Sequence, residues 1–265
     1  MSPKVERRRT TMATYVELDG VRTWYDEYGE GEPLVLLHPG LTDSRAFATN
    51  LDTWAARFRT FLPERRGHGH TPDVEGPITF EDMAQDTIRF IEQVVGGPAR
   101  LLGWSDGAIV GLLVALRRPD LVTRLVFVAG VFHHEGWLPG VIDPTNEPPG
   151  FMADSYGEIS PDGIDHFSVV AEKLAQIHLV EPALSDHDLA RIPARTLVML
   201  GDDDEMAVEH AAALYRGLPD AELAVIPRTS HGLLIEKPDL CNMIILDFLT
   251  NEPVANVAPI RRATA

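Results

Sequence analysis

A single cysteine, Cys241, stands among 265 residues. With no second thiol in the chain an internal disulfide is excluded, which fits a reducing compartment, and a cytoplasmic location is the expectation. Long apolar runs are missing as well. No segment approaches the ~18 consecutive apolar residues of a membrane span, and the basic stretch Met1 to Arg9 is not followed by the apolar region of a secretory signal. Positive charge is scarce, with 23 Lys and Arg against 40 Asp and Glu and a formal net charge of −17. So acidic a chain lacks the basic face that phosphate backbones require, so nucleic acid is not expected as a partner. Neither is a membrane; a small-molecule substrate is. Internal repeats and low-complexity tracts are also absent, which sets aside solenoid and fibrous architectures.

What is present is ordinary globular composition, 45% hydrophobic and 24% charged, in a chain long enough to bury one large core. Val16 to Tyr28 alternates weakly around Asp19-Gly20, a two-residue hairpin signal, so an antiparallel pair is predicted to start a sheet. Short apolar runs then alternate with helical patterns: Leu34 to Leu37, Ala46 to Arg57, Phe61-Leu62, Phe80 to Val95, Leu101-Leu102, Ala108 to Arg117, Leu125 to Val128. Unbroken Leu and Val runs mark strands covered on both faces, as in a parallel sheet. The fold class is therefore α/β, a mostly parallel central sheet with helices on both faces. The pattern from Ala108 to Arg117 is apolar all round and predicts a central buried helix.

Between Val131 and Ile192 the alternation stops. Pro139, Pro144, Pro148, Pro149 and Pro161 fall here, with the large apolar residues Phe132, Trp137, Phe151, Met152 and Phe167. Ser160-Pro161 is expected to open a helix, Ser as N-cap and Pro at the first position, with Ile164, Phe167, Ala171, Leu174 and Ile177 at helical spacing. The organisation expected is a disordered extension over residues 1–12, with Met12 an alternative start, a core over 13–130 and 191–250, an insertion over 131–190, and a disordered tail over 251–265.

Chemistry concentrates at Gly103-Trp104-Ser105-Asp106-Gly107, which follows a strand and opens a helix. A G-x-S-x-G turn in that context exposes a serine hydroxyl on a strained bend beside backbone N–H groups. Alternatively, the segment is a glycine-rich turn with an N-capping serine. Two further strands lead into chemistry-bearing residues: Leu197 to Gly201 into Asp202-Asp203-Asp204, and Leu223 to Ile226 into Pro227 to Gly232, which holds His231. Upstream, Pro33 to Leu37 leads into His38-Pro39-Gly40. Serine, acid and histidine thus each follow a strand, in that order along the chain.

Over roughly Tyr15 to Leu249 the chain resembles the serine α/β-hydrolases of the esterase, lactonase and C–C hydrolase type. His38-Pro39-Gly40, Arg66-Gly67-His68-Gly69-His70-Thr71, Gly103 to Gly107, Gly201 to Asp204 and Ser230-His231-Gly232 carry the likeness. The resemblance implies the α/β-hydrolase fold with a small cap inserted after the sixth strand. It implies Ser105 as nucleophile, His231 as base and Asp204 as acid, with Asp203 and Glu135 as rival acids. Backbone N–H groups of Asp106 and Gly40 would bind the oxyanion, with Leu41 the alternative to Gly40. Two positions depart from the family pattern. Pro39 replaces a glycine and brings no N–H, and Glu64-Arg65-Arg66-Gly67 stands where Asp-x-Arg-Gly is usual. Asp106 is expected to act through its backbone, its carboxylate favouring the helix dipole.

The implied substrate pocket comprises Leu41, Trp104, Phe132, Trp137, Phe151, Met152 and Phe167. No cofactor is expected, and no metal: His68 with His70, and His133 with His134 and Glu135, lack matching partners. Cys241, in a helical stretch, reads as a structural thiol. The function expected is hydrolysis of a small-to-medium, neutral, apolar carboxylic ester or lactone through an acyl-enzyme. Two rivals stand beside it: a C–C bond hydrolase or lyase using the same three residues, and a non-catalytic ligand-binding protein on a hydrolase scaffold.

Overall fold

The Asp19-Gly20 pair takes positive φ at both residues, 53° and 86°, the conformation that lets a two-residue turn match the twist of its strands. It joins β1 (Thr14–Leu18) to β2 (Val21–Tyr28) as an antiparallel hairpin. The computed structural model describes residues 14–143 and 145–260; the expectations for residues 1–12, and part of that for the tail, lie outside them. Six strands continue the sheet, all parallel to one another: β3 (Pro33–Leu37), β4 (Arg59–Pro63), β5 (Ala99–Trp104), β6 (Val122–Val128), β7 (Arg195–Gly201) and β8 (Ala221–Ile226). The spatial order is β1-β2-β4-β3-β5-β6-β7-β8, with β2 antiparallel to β4.

Alternate residues of the central strands feed two separate cores. Val35, Leu37 and Leu101 pack on one face of the sheet, and Leu34, Leu36 and Leu102 on the other; successive side chains of a strand point to opposite faces. The first core is covered by α2 (Phe80–Phe90), α3 (Asp106–Arg117) and α7 (Val208–Gly217), the second by α1 (Leu51–Ala55), α8 (Leu233–Glu236) and α9 (Pro238–Thr250). Every residue of α3 from Asp106 to Leu116 is buried, as its all-round apolar pattern predicts. Helix α2 begins where Thr79 accepts a hydrogen bond from the Asp82 N–H, with two acids in its first turn. This is the α/β-hydrolase fold, a mostly parallel sheet between two helical layers.

The segment between β6 and β7 holds α4 (Gly150–Ile159), α5 (Phe167–His178) and α6 (Asp186–Leu189). Here one expectation is corrected: Ser160-Pro161 does not open a helix. Ser160 is extended (ψ 132°) and closes α4 by donating its N–H to the Tyr156 carbonyl. Its hydroxyl accepts from the Asp162 N–H, Gly163 turns with φ 78°, and α5 starts only at Phe167. Proline just beyond a helix end serves as a stop as well as a start, and here it stops. The apolar spacing itself stands from Phe167 onward: Phe167, Val170, Leu174 and Ile177 are buried, whereas Ile164 is half exposed.

Cys241 is buried on α9, its thiol directed at the Leu233 carbonyl and raised by burial to about 11, well out of the thiolate range. Among the described residues no helix is long and apolar enough to cross a membrane.

Candidate active site

Ser105 follows the last residue of β5 and precedes α3, with φ 56° and ψ −120°. A side chain in that region is strained, and its neighbours show what holds it there. A Cβ at Gly103 would overlap the Gly107 carbonyl, and one at Gly107 the Leu37 carbonyl, so both must be glycine for strand and helix to meet. The Ser105 hydroxyl makes no capping bond to α3, which removes the N-cap alternative. It faces His231 instead.

His231 Nε2 lies 3.0 Å from Ser105 Oγ, and Nδ1 lies 2.8 Å from Asp204 Oδ1. The carboxylate accepts only, so Nδ1 carries the hydrogen and Nε2 is left to accept from the serine. Asp204, its side chain wholly buried, also accepts from the N–H groups of Gly201 (3.0 Å) and Glu205 (2.8 Å), which fixes it. Trp104 Nε1 donates to the His231 carbonyl at 3.0 Å. Burial works against a charged His231, but the Asp204 hydrogen bond and charge outweigh it, and the pKa is raised above the ordinary imidazole value. The rival acids are placed elsewhere. Asp202 accepts from Thr229 N–H, Asp203 donates its own N–H to the Thr229 carbonyl, and Glu135 lies in a short turn facing His133 at 3.7 Å.

Asp106 has surroundings that sequence reasoning missed. Its carboxylate is buried and paired with His178 Nε2 at 2.8 Å. The second oxygen lies so close to the α-carbon of Gly40 that a Cβ there would collide with it. Arg65, fully buried, donates to the carbonyls of His38 and Pro39 and so pins the loop that carries Gly40 and Leu41. Burial depresses this guanidinium to about 10, with the Asp106 charge opposing. Glu64, in the place of the family's usual aspartate, accepts from Ser44 and from the backbone and ring of His70. One signal for His178 was available: it sits one turn beyond Leu174, at the end of the apolar stripe of α5, an odd place for a polar residue.

A cleft of about 1400 Å³ opens above Ser105. Leu41, Trp104, Trp137, Phe151, Met152 and Phe167 line it, together with Gly40, Asp106 and His178. Phe132 does not. Its ring stacks on His210 at 4.1 Å and its N–H donates to the same imidazole, so it is held in the main core below. Arg45, in the short turn after β3, also lines the cleft, bound to Asp43 and Glu158, whereas Lys173 pairs with Asp73 away from it. Among the described residues no group of three or more His, Cys, Asp or Glu is placed to hold a metal.

Comparison with known proteins agrees with this geometry. The model of the alpha/beta hydrolase family matches residues 34–243. Serine hydrolase BPHL of Homo sapiens is 27% identical over 256 residues, 88% of this chain and 85% of that protein. A putative carbamate hydrolase, RutD, of Azorhizobium caulinodans is 24% identical over 249 residues, 85% of this chain and 94% of that protein. Among solved structures, the enol-lactonase from Burkholderia xenovorans LB400 superposes with a TM-score of 0.74 over 90% of this chain and all of that one, at 22% identity, a likeness of fold. Sheet order, the strained serine turn and the family match together make this chain a member of the alpha/beta hydrolase family and one of its enzymes.

Proposed function

We propose that the enzyme is a serine hydrolase that cleaves a small-to-medium, neutral, apolar carboxylic ester or lactone through an acyl-enzyme. The unbroken hydrogen-bonded line from Asp204 through His231 to Ser105, at the floor of the cleft, carries this reading. A serine hydroxyl is a weak nucleophile at neutral pH. His231 Nε2 takes its proton as Oγ attacks the carbonyl carbon, and Asp204 stabilises the imidazolium that forms. The N–H groups of Asp106 and Gly40 receive the oxyanion, each contributing about 3 to 4 kcal/mol to the transition state. His231 then hands its proton to the departing alcohol, the acyl group stays on Oγ, and a water deprotonated by the same imidazole releases the acid.

In this reading the segment between β6 and β7 is a cap that selects substrate. Its Trp137, Phe151, Met152 and Phe167 give apolar walls, and the cations of the cleft are already bound to carboxylates. An anionic acyl group would find no free cation there among the described residues to offset its desolvation. Carbamate hydrolysis, named for one of the relatives, also begins at an acyl carbon, so carbamates belong in the same substrate screen. Ser105→Ala and His231→Ala are expected to remove nearly all turnover of the best neutral ester while thermal unfolding stays unchanged. Retention of more than about a tenth of kcat by Ser105→Ala, or turnover of vinylogous diketones in preference to esters, would contradict the proposal.

A further inference from the structure

The cleft contains a second carboxylate–imidazole pair that the line through Ser105 does not use. It joins the first residue of α3, Asp106, to the last residue of α5, His178, 72 positions away. Geometry gives the charge state. His178 Nδ1 lies 2.7 Å from the Leu174 carbonyl, which only accepts, so that nitrogen carries a hydrogen. Nε2 faces the Asp106 carboxylate at 2.8 Å, so it carries one too. A ring with both nitrogens donating is an imidazolium.

Asp106 Oδ1 is therefore engaged, while Oδ2, buried and without a hydrogen-bond partner among the described residues, rests against Gly40. Among the described residues, Arg65, from the loop after β4, and His68 and His231 also face the pair. His68 is pushed down to about 4 by burial and by Arg65 and is neutral at pH 7. The rings of Phe80 and Trp137 stand edge-on to His178 at 5.4 and 6.1 Å. Burial opposes both charges of the pair; each partner outweighs it, so Asp106 is held below the ordinary carboxylate range and His178 above the ordinary imidazole value.

We infer that His178 is a positioning residue for the Ser105 reaction: as an imidazolium carried on α5, it neutralises the Asp106 carboxylate beside the oxyanion site and fastens the inserted segment to the serine turn. The inference rests on the proposed serine mechanism, in which the N–H groups of Asp106 and Gly40 hold the oxyanion. A bare carboxylate lodged between those two residues would oppose the negative charge developing there. His178, aided by Arg65, offsets it. Deprotonation of His178 at alkaline pH would expose that charge, so the rate should fall on the basic side.

The test has two arms. Long-range 1H–15N spectra of the wild-type enzyme, with the His178 signals assigned by their loss in His178→Gln, are expected to show both ring nitrogens still protonated at the pH where an ordinary imidazole is half titrated. In the kinetic arm, His178→Gln should lower kcat on a neutral p-nitrophenyl ester at least about tenfold while KM moves less than about threefold. The double variant Asp106→Asn/His178→Gln should recover most of that loss and show no basic limb, because both charges are then gone. A neutral His178 ring overturns the inference whatever the turnover. A double variant as slow as His178→Gln, or slower, overturns it as well, since the uncompensated Asp106 charge would then not be what slows His178→Gln. The spectra need no turnover, so failure here is distinguishable from failure of the serine mechanism, which Ser105→Ala tests.

Discussion

Asp204 differs from Asp202 and Asp203 in surroundings rather than in chemistry. All three leave the same strand end, but only Asp204 turns inward to meet His231. Asp204→Asn is expected to lower kcat by roughly 10³ to 10⁴, the loss that follows when the imidazole tautomer is no longer set, whereas Asp202→Asn and Asp203→Asn cost far less. The pH profile carries the same information. The base must be neutral to work and its pKa is raised, so kcat/KM should fall as pH drops through a value above the ordinary imidazole one. Asp204→Asn removes the carboxylate and should move that acid limb to lower pH. An unmoved limb would mean that another carboxylate holds the ring. Ser105 and His231 were legible because each occupies a strand end with a local signature. The Asp106–His178 pair was not, because its two halves meet only through the packing of α5 over the sheet.

At the scale of elements, the serine turn depends on two glycines whose freedom is demanded by close approach. Gly107→Ala would press a methyl group onto the Leu37 carbonyl and should destabilise the fold by about 2 kcal/mol or more, read as a lower unfolding midpoint at unchanged denaturant slope. Wild-type stability in that variant would mean that β3 and α3 are not locked as described. Trp137 belongs to this scale too, since it closes the cleft edge-on to His231 at 6.1 Å. Along a series of neutral acyl esters kcat/KM should rise by about 0.8 kcal/mol per added CH₂ until the pocket fills, and Trp137→Ala should flatten the rise. A series with the same slope in the variant would place the acyl chain elsewhere. The strands were readable because burial on both faces leaves unbroken apolar runs. Ser160-Pro161 was misread because the same dipeptide can start a helix or end one, and only the turn at Gly163 decides which.

For the whole molecule, the net charge of −17 acts on anything approaching the cleft. Monoesters of dicarboxylic acids should react more slowly than neutral esters of matched size, with the gap narrowing as salt screens the field. Faster turnover of the anionic esters at physiological salt would require a cationic site that the paired Arg45 does not offer. Sheet order was beyond local pattern: nothing in the runs themselves says that β3 lies between β4 and β5, yet that placement brings the Gly40 loop beside Ser105. The most direct measurement is labelling of the native enzyme with a serine-directed fluorophosphonate, followed by peptide mass mapping. One adduct is expected, on the peptide containing Ser105, formed in step with loss of activity and absent in His231→Ala. An adduct on another serine, or full activity after Ser105 is modified, would contradict it.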